Sequence, residues 1–140
     1  MSTYPESGAR VIGGEDNTNG PGPYIMAAST LEGDTVVNLE GEELGTITDI
    51  MVDVPKGRIA YAVLSFGGFL GMGDKLFAVP WNALILDAED KCFVLKVDKE
   101  TLKNAPGFDK GNWPTMADQR WATQVHTHYG TRPYWEDYTP

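Results

Sequence analysis

The sequence predicts a mainly β domain of short strands, folded as a small barrel or sandwich. Its 140 residues include 16 Gly and 9 Pro, which break the chain too often for long helices. Between Val36 and Val97 short apolar runs alternate with turn signals, the pattern of an all-β domain. Only after Val97 does the apolar spacing become helical. A chain of this length holds one ordinary domain, and a hydrophobic content of 41% is enough for its core.

Residues 1–23 are rich in Gly, Ser, Asn, Pro and acid, with Val11-Ile12 as their one apolar pair. Such a segment buries too little surface to offset its ordering entropy, so a flexible arm with one short contact at Val11-Ile12 is expected. The body starts near Tyr24. Val36-Val37 forms a short strand, followed by a turn over Asn38 to Gly41. Leu44 to Val54 is a longer strand with Ile50, Val52 and Val54 on one face and Asp49, Met51 and Asp53 on the other. Ile47 is out of phase with that set, which places a β-bulge near Thr48. Pro55-Lys56-Gly57 is a tight turn, Pro presetting φ and Gly accepting a positive one. Arg58 to Phe66 returns as the second strand of a hairpin. Ile59, Tyr61 and Val63 line one side of it and Ala60, Ala62, Leu64 and Phe66 the other. Both faces are apolar, so this strand needs a core inside and a cover outside, supplied by the chain's own C-terminal part or by a second subunit.

Gly67 to Asp74 is a glycine-rich loop carrying Phe69, Leu70 and Met72. Strands resume at Lys75 to Val79, Ala83 to Leu86 and Cys92 to Val97, the last two joined by a turn over Asp87 to Lys91. Asp98 N-caps a short helix running to Asn104, which Ala105-Pro106-Gly107 ends. Thr115-x-x-Asp118 has the form of a capping box for a second helix through His128, with Ala117, Trp121 and Val125 as its apolar stripe. Gly130 closes that helix, and part of the aromatic tail with Tyr134, Trp135 and Tyr138 is expected to dock.

A formal net charge of −9 works against nucleic acid and against anionic membrane surfaces, leaving a basic protein partner or simple solubility. The single cysteine, Cys92, excludes an internal disulfide and sits in an apolar run as a small hydrophobe. No apolar run approaches the roughly 20 residues of a membrane span, and the N-terminus lacks a signal-peptide layout, so a cytoplasmic location is expected. The Gly67 to Asp74 loop lacks the Lys-Ser or Lys-Thr of a phosphate loop and ends on an acid that repels phosphate. Glu32 to Asp53 holds seven carboxylates and no Lys or Arg, without the alternating spacing of a calcium loop. Asp49 and Asp53 share a strand face yet stand roughly 13 Å apart, too far for one metal. His126 and His128, at i and i+2, point to different helix faces. No nucleophile elbow or triad pattern is present.

Glu42-Glu43-Leu44-Gly45-Thr46-Ile47 with Asp49 and Asp53, then Gly57-Arg58-Ile59-Ala60-Tyr61-Ala62-Val63 and Val79-Pro80-Trp81, resembles the PRC-barrel family. Leu102-Lys103-Asn104-Ala105-Pro106-Gly107-Phe108 and Trp113-Pro114 resemble the C-terminal extension of its stand-alone bacterial members. In this order the segments cover roughly Ala28 to Trp135. The resemblance implies a strongly bent antiparallel β-barrel, as in the cytoplasmic part of the photosynthetic reaction-centre H subunit, with short C-terminal helices. It also implies an adaptor or assembly role without shared catalytic residues.

The organisation expected is an arm over residues 1–23, a barrel over 24–98 and a helical extension with aromatic tail over 99–140. The function expected is a non-catalytic interaction module that self-associates, most simply as a two-fold dimer, through Tyr61, Phe69, Leu70 and Met72. Another protein is a further candidate partner, and no cofactor, metal, nucleic acid or membrane insertion is expected. The alternative is a small-ligand or metal-binding protein using the Gly67 to Asp74 loop and nearby carboxylates.

Overall fold

The computed structural model describes residues 8–13, 24–67 and 74–136. Eight strands among them form one sheet: β1 (Arg10–Ile12), β2 (Thr35–Val37), β3 (Glu43–Asp53), β4 (Arg58–Gly67), β5 (Asp74–Pro80), β6 (Leu84–Asp87), β7 (Cys92–Leu95) and β8 (Gly107–Asp109). Their order across the sheet is β1-β6-β7-β2-β3-β4-β5-β8. Three helices accompany them: α1 (Ala28–Leu31), α2 (Lys99–Lys103) and α3 (Gln119–Tyr129).

The sheet is mixed, where an antiparallel one was expected. β2 to β5 meander antiparallel, but β7 lies parallel to β2 and β1 parallel to β6. The cause is a crossover. The 3-10 turn Trp81–Ala83, packed against the inner core, takes the chain from β5 to β6, which is not its neighbour in the sheet, and the β6–β7 hairpin joins beside β2 with β7 parallel to it. Leu84, Leu86, Phe93 and Leu95 from that hairpin share one buried cluster with Ala62 and Leu64 of β4, several strands away in sheet order. The sheet must therefore curl round its own interior.

Local chemistry explains the curvature. The β2–β3 turn is built on Asn38, whose Oδ1 accepts from the N–H groups of Glu40 and Glu42 while its Nδ2 donates to Glu42 Oε1. Gly45 has φ +151°, and a Cβ there would run into the Ser65 carbonyl oxygen, so β3 passes β4 closer than any side chain allows. The bulge expected near Thr48 is present, since pairing steps from Ile47↔Leu64 to Asp49↔Val63. A second irregularity follows, from Met51↔Tyr61 to Val52↔Ile59, leaving Ala60 as the extra residue on β4. That step turns both Ala60 and Tyr61 of β4 towards the outer cluster. Ile50 packs inward, but Val52 and Val54, expected on its face, are 53% and 79% exposed.

β4 is buried on both sides, as its composition requires. Ala62 and Leu64 enter the inner core, while Ala60, Tyr61 and Val63 join an outer cluster. β5 shares the property, with Phe77 and Val79 inside and Leu76 and Ala78 outside. The outer cluster is closed by Phe108 of β8 and by Ala122 and Val125 of α3.

The C-terminal helices follow their caps. Asp98 accepts from the Thr101 N–H at 2.7 Å and opens α2. α3 opens at Asp118, which accepts from the Arg120 N–H, and not at Thr115, whose carbonyl only closes the preceding turn. Ala117 thus falls outside the helix and is exposed; the buried face runs through Ala122, Val125 and His126, with Trp121 half-buried beside it. Gly130, at φ +69°, ends α3 in a Schellman motif. Its N–H donates to Thr127 O and that of Thr131 to His126 O.

The contact expected at Val11-Ile12 is the strand β1, paired Val11↔Leu86 and Ile12↔Asp87, with Val11 packed against the inner core.

Candidate functional site: a covered strand face and a hairpin cleft

The outer face of β4 is closed by the chain itself. Tyr61, expected at an interface with a second subunit, is only 1% exposed. Its ring centroid lies 5.5 Å from those of Trp121 and His126 and 5.6 Å from that of Tyr134, mostly in edge-on geometry. Two elements supply this cover: α3, and a strap of residues 131–136 that runs back over the helix. Both faces of β4 were legible as buried, but the cover is intramolecular, which corrects the placing of Tyr61. Phe69, Leu70 and Met72, the other expected interface residues, lie outside the described residues, as does most of the Gly67 to Asp74 loop.

His126 joins helix to strap. It is 1% exposed and uses both ring nitrogens. Nε2 accepts from the Tyr134 N–H at 3.2 Å, so it carries no proton in this arrangement. Nδ1 then holds the ring proton and donates it to Ala122 O at 2.8 Å. Burial lowers the His126 pKa below the ordinary histidine value, against an opposing pull from the Ala122 hydrogen bond and from Glu136. His128 has a separate job, its Nε2 lying 3.0 Å from Thr101 O and tying α3 to α2. The two histidines do not converge, and no group of three or more His, Cys, Asp or Glu among the described residues is placed to hold a metal.

Beyond Tyr134 the strap borders a cleft of about 370 Å³, lined by Gly57, Arg58, Ile59, Trp81, Asn82 and Tyr134. The Arg58 guanidinium lies over the Tyr134 ring at 5.2 Å and its Nε donates to Asp53 Oδ2 at 3.1 Å. Burial, then the Asp53 carboxylate, raises the Tyr134 phenol pKa, with Arg58 opposing. Asn82 Nδ2 donates to Arg132 O and fastens the strap to the 3-10 turn. Val52, cross-strand neighbour of Ile59, and Val54 beyond it are exposed at the same hairpin end.

Residues 25–102 of the chain match the PRC-barrel domain family. The chain belongs to that family. No curated protein matches it. The matched part of this PRC barrel ends at Leu102, fully buried in the inner core, so the family span covers β2 to β7 and most of α2. β8, α3 and the strap lie beyond it, yet they supply the cover for β4. No helix among the described residues is long and apolar enough to cross a membrane.

The remaining candidate chemistry has structural explanations. Cys92 is half-buried, and burial followed by Asp87, Asp90 and Asp34 pushes its thiol pKa up, away from nucleophilic character. In the acidic stretch Glu42 serves the Asn38 turn and Asp53 pairs with Arg58. What the sequence reading missed is the strap's anchorage on His126. The available signal was a histidine four residues before a helix-closing glycine, with aromatics following, and that pattern is common enough to pass unnoticed.

Proposed function

We propose that this PRC barrel is a non-catalytic assembly module whose contact surface is the β3–β4 hairpin with the adjoining cleft, and whose first partner is a second copy of the chain. The observation that carries the reading is the exposure of Val52 and Val54 at 53% and 79%, beside a cleft walled by Ile59, Trp81 and Tyr134. A projecting apolar hairpin and an aromatic cleft on one molecule form a self-complementary pair, the requirement for a two-fold contact. Phe69, Leu70 and Met72 in the glycine-rich loop add a second apolar segment suited to the same role. The net charge of −9 opposes unspecific association and leaves these segments as the favoured contacts.

Light scattering coupled to size exclusion, at tens of micromolar chain, tests this. The expected result is a dimer mass for the native chain and a monomer for Val52→Asp with Val54→Asp, with an unchanged melting temperature. Loss of the dimer only in Phe69→Asp with Leu70→Asp would move the contact to the loop. A monomer mass for the native chain refutes self-association. For the small-ligand alternative, made for the Gly67 to Asp74 loop and nearby carboxylates, the cleft is a further candidate site, and a thermal-shift screen with nucleotides and divalent metals separates it from assembly.

A further inference from the structure

We propose that His126 is a proton-operated latch: with its ring neutral the strap of residues 131–136 lies closed over β4, and protonation of the ring lifts the strap, baring Tyr61 and removing the Tyr134 wall of the cleft.

The hydrogen bonds set the logic. In the closed strap Nδ1–H donates to Ala122 O and the Nε2 lone pair accepts from the Tyr134 N–H at 3.2 Å. A second proton has only Nε2 to occupy, where it would face the Tyr134 N–H donor directly. The strap's one backbone bond to the ring would become a donor–donor clash. The surroundings do not compensate. The ring lies 5.5 Å from Tyr61, 5.8 Å from Tyr134 and 5.6 Å from Trp135, all uncharged at working pH. Tyr61, on β4, has its hydroxyl pKa pushed further up by burial. From the strap, Glu136 favours the imidazolium, but its effect is smaller than that of burial. Arg58 and Asp53 stand beyond Tyr134 and are paired with each other. From α3 the group facing the ring is the Ala122 carbonyl.

Two of the ring's aromatic neighbours, Tyr134 and Trp135, belong to the strap, so opening returns the imidazole to water and to a pKa of about 6.5. The closed state, with the lower pKa, binds fewer protons than the open one. Closure is therefore at full strength above about pH 6.5 and weakens as pH falls from there towards the closed-state value, by up to about tenfold in the closed-to-open ratio per pH unit. The Schellman turn at Gly130 and Thr131 supplies the pivot, and the Asn82 to Arg132 bond and the Arg58–Tyr134 contact are released with the strap.

The test is nuclear magnetic resonance on the full chain from about pH 7.5 to about pH 5, following the His126 ring and the exchange protection of the Tyr134 amide. The expected result is loss of Tyr134 protection at the midpoint of His126 protonation, below about pH 6.5, with constant far-UV circular dichroism. Glu136→Gln, an exposed change, should move that midpoint lower by removing the charge that favours the imidazolium. His126→Gln should make protection independent of pH. The proposal is overturned if Tyr134 stays protected while His126 titrates, if His126 stays neutral to pH 5, or if Glu136→Gln leaves the midpoint in place. Loss of the helix signal at the same midpoint would also overturn it, since that is global acid unfolding. None of these readouts depends on what the cleft binds.

Discussion

Replacing Gly45 by Ala should destabilise this barrel far more than the same change at other glycines with positive φ. Gly45 has φ +151°, and a Cβ built on it overlaps the Ser65 carbonyl oxygen and comes within 3.0 Å of Leu64 Cδ1. Leu64 and Leu44 are fully buried and Ser65 is 8% exposed, so the obstruction is β4 backbone held between two cores. Such an atom cannot swing aside as the tip of a flexible side chain would. Overpacking of this kind costs about 1–3 kcal/mol, and an unfavourable φ adds about 1–2 kcal/mol. The sum centres on about 3–4 kcal/mol. With a urea slope of about 2 kcal/mol per molar, the midpoint should fall by roughly 1.5–2 M. Gly41 is the control. Its φ is +81° but nothing lies within 4 Å of its missing Cβ, so Gly41→Ala carries only the backbone cost of about 1 kcal/mol. Equal shifts for the two variants, or a Gly45→Ala shift below about 0.3 M, would refute the close approach as the reason for glycine there.

Two further outcomes follow from burial. The Tyr61 hydroxyl is buried with no hydrogen-bond partner, so Tyr61→Phe should raise stability by about 1 kcal/mol, read as a higher urea midpoint; a fall would mean the hydroxyl has a partner. Deleting residues 1–13 removes β1 from the β6 edge and Val11 from the inner core, and should cost about 1–2 kcal/mol in calorimetry, where an unchanged melting temperature would show that β1 adds nothing.

How much of this was legible depended on the range of the interactions. The β3–β4 hairpin announced itself through Pro55-Lys56-Gly57, and the phase slip of Ile47 located the bulge before Asp49. Asp98 marked the start of α2 because an N-cap is a local hydrogen bond. The run Leu76-Phe77-Ala78-Val79 carried the sign of a doubly buried strand, as β4 did. The parallel pairings had no comparable signal, since β3 to β6 and more than fifty residues of chain separate β7 from β2. β8 is three residues long and takes its conformation from the edge of β5, not from its own spacing. For α3, both Thr115 and Asp118 are competent caps, and the packed face decides between them. That face includes His126, which reads as polar in a sequence and behaves as a core aromatic here. Composition could show that Tyr61 would be covered, but the Trp121 and Tyr134 rings that cover it lie sixty or more positions along the chain.

The covering of β4 has a consequence for synthesis. The buried residues of the inner core are complete in sequence by Ala105, yet Tyr61, Val63, Leu76 and Ala78 receive their cover from Phe108, α3 and the strap. At about 5–20 residues per second, a ribosome needs a few seconds to make those remaining residues. During that interval a folded barrel would display a bare aromatic and aliphatic face to solvent or to a neighbouring nascent chain. The net charge of −9 makes such half-covered chains repel one another until α3 arrives.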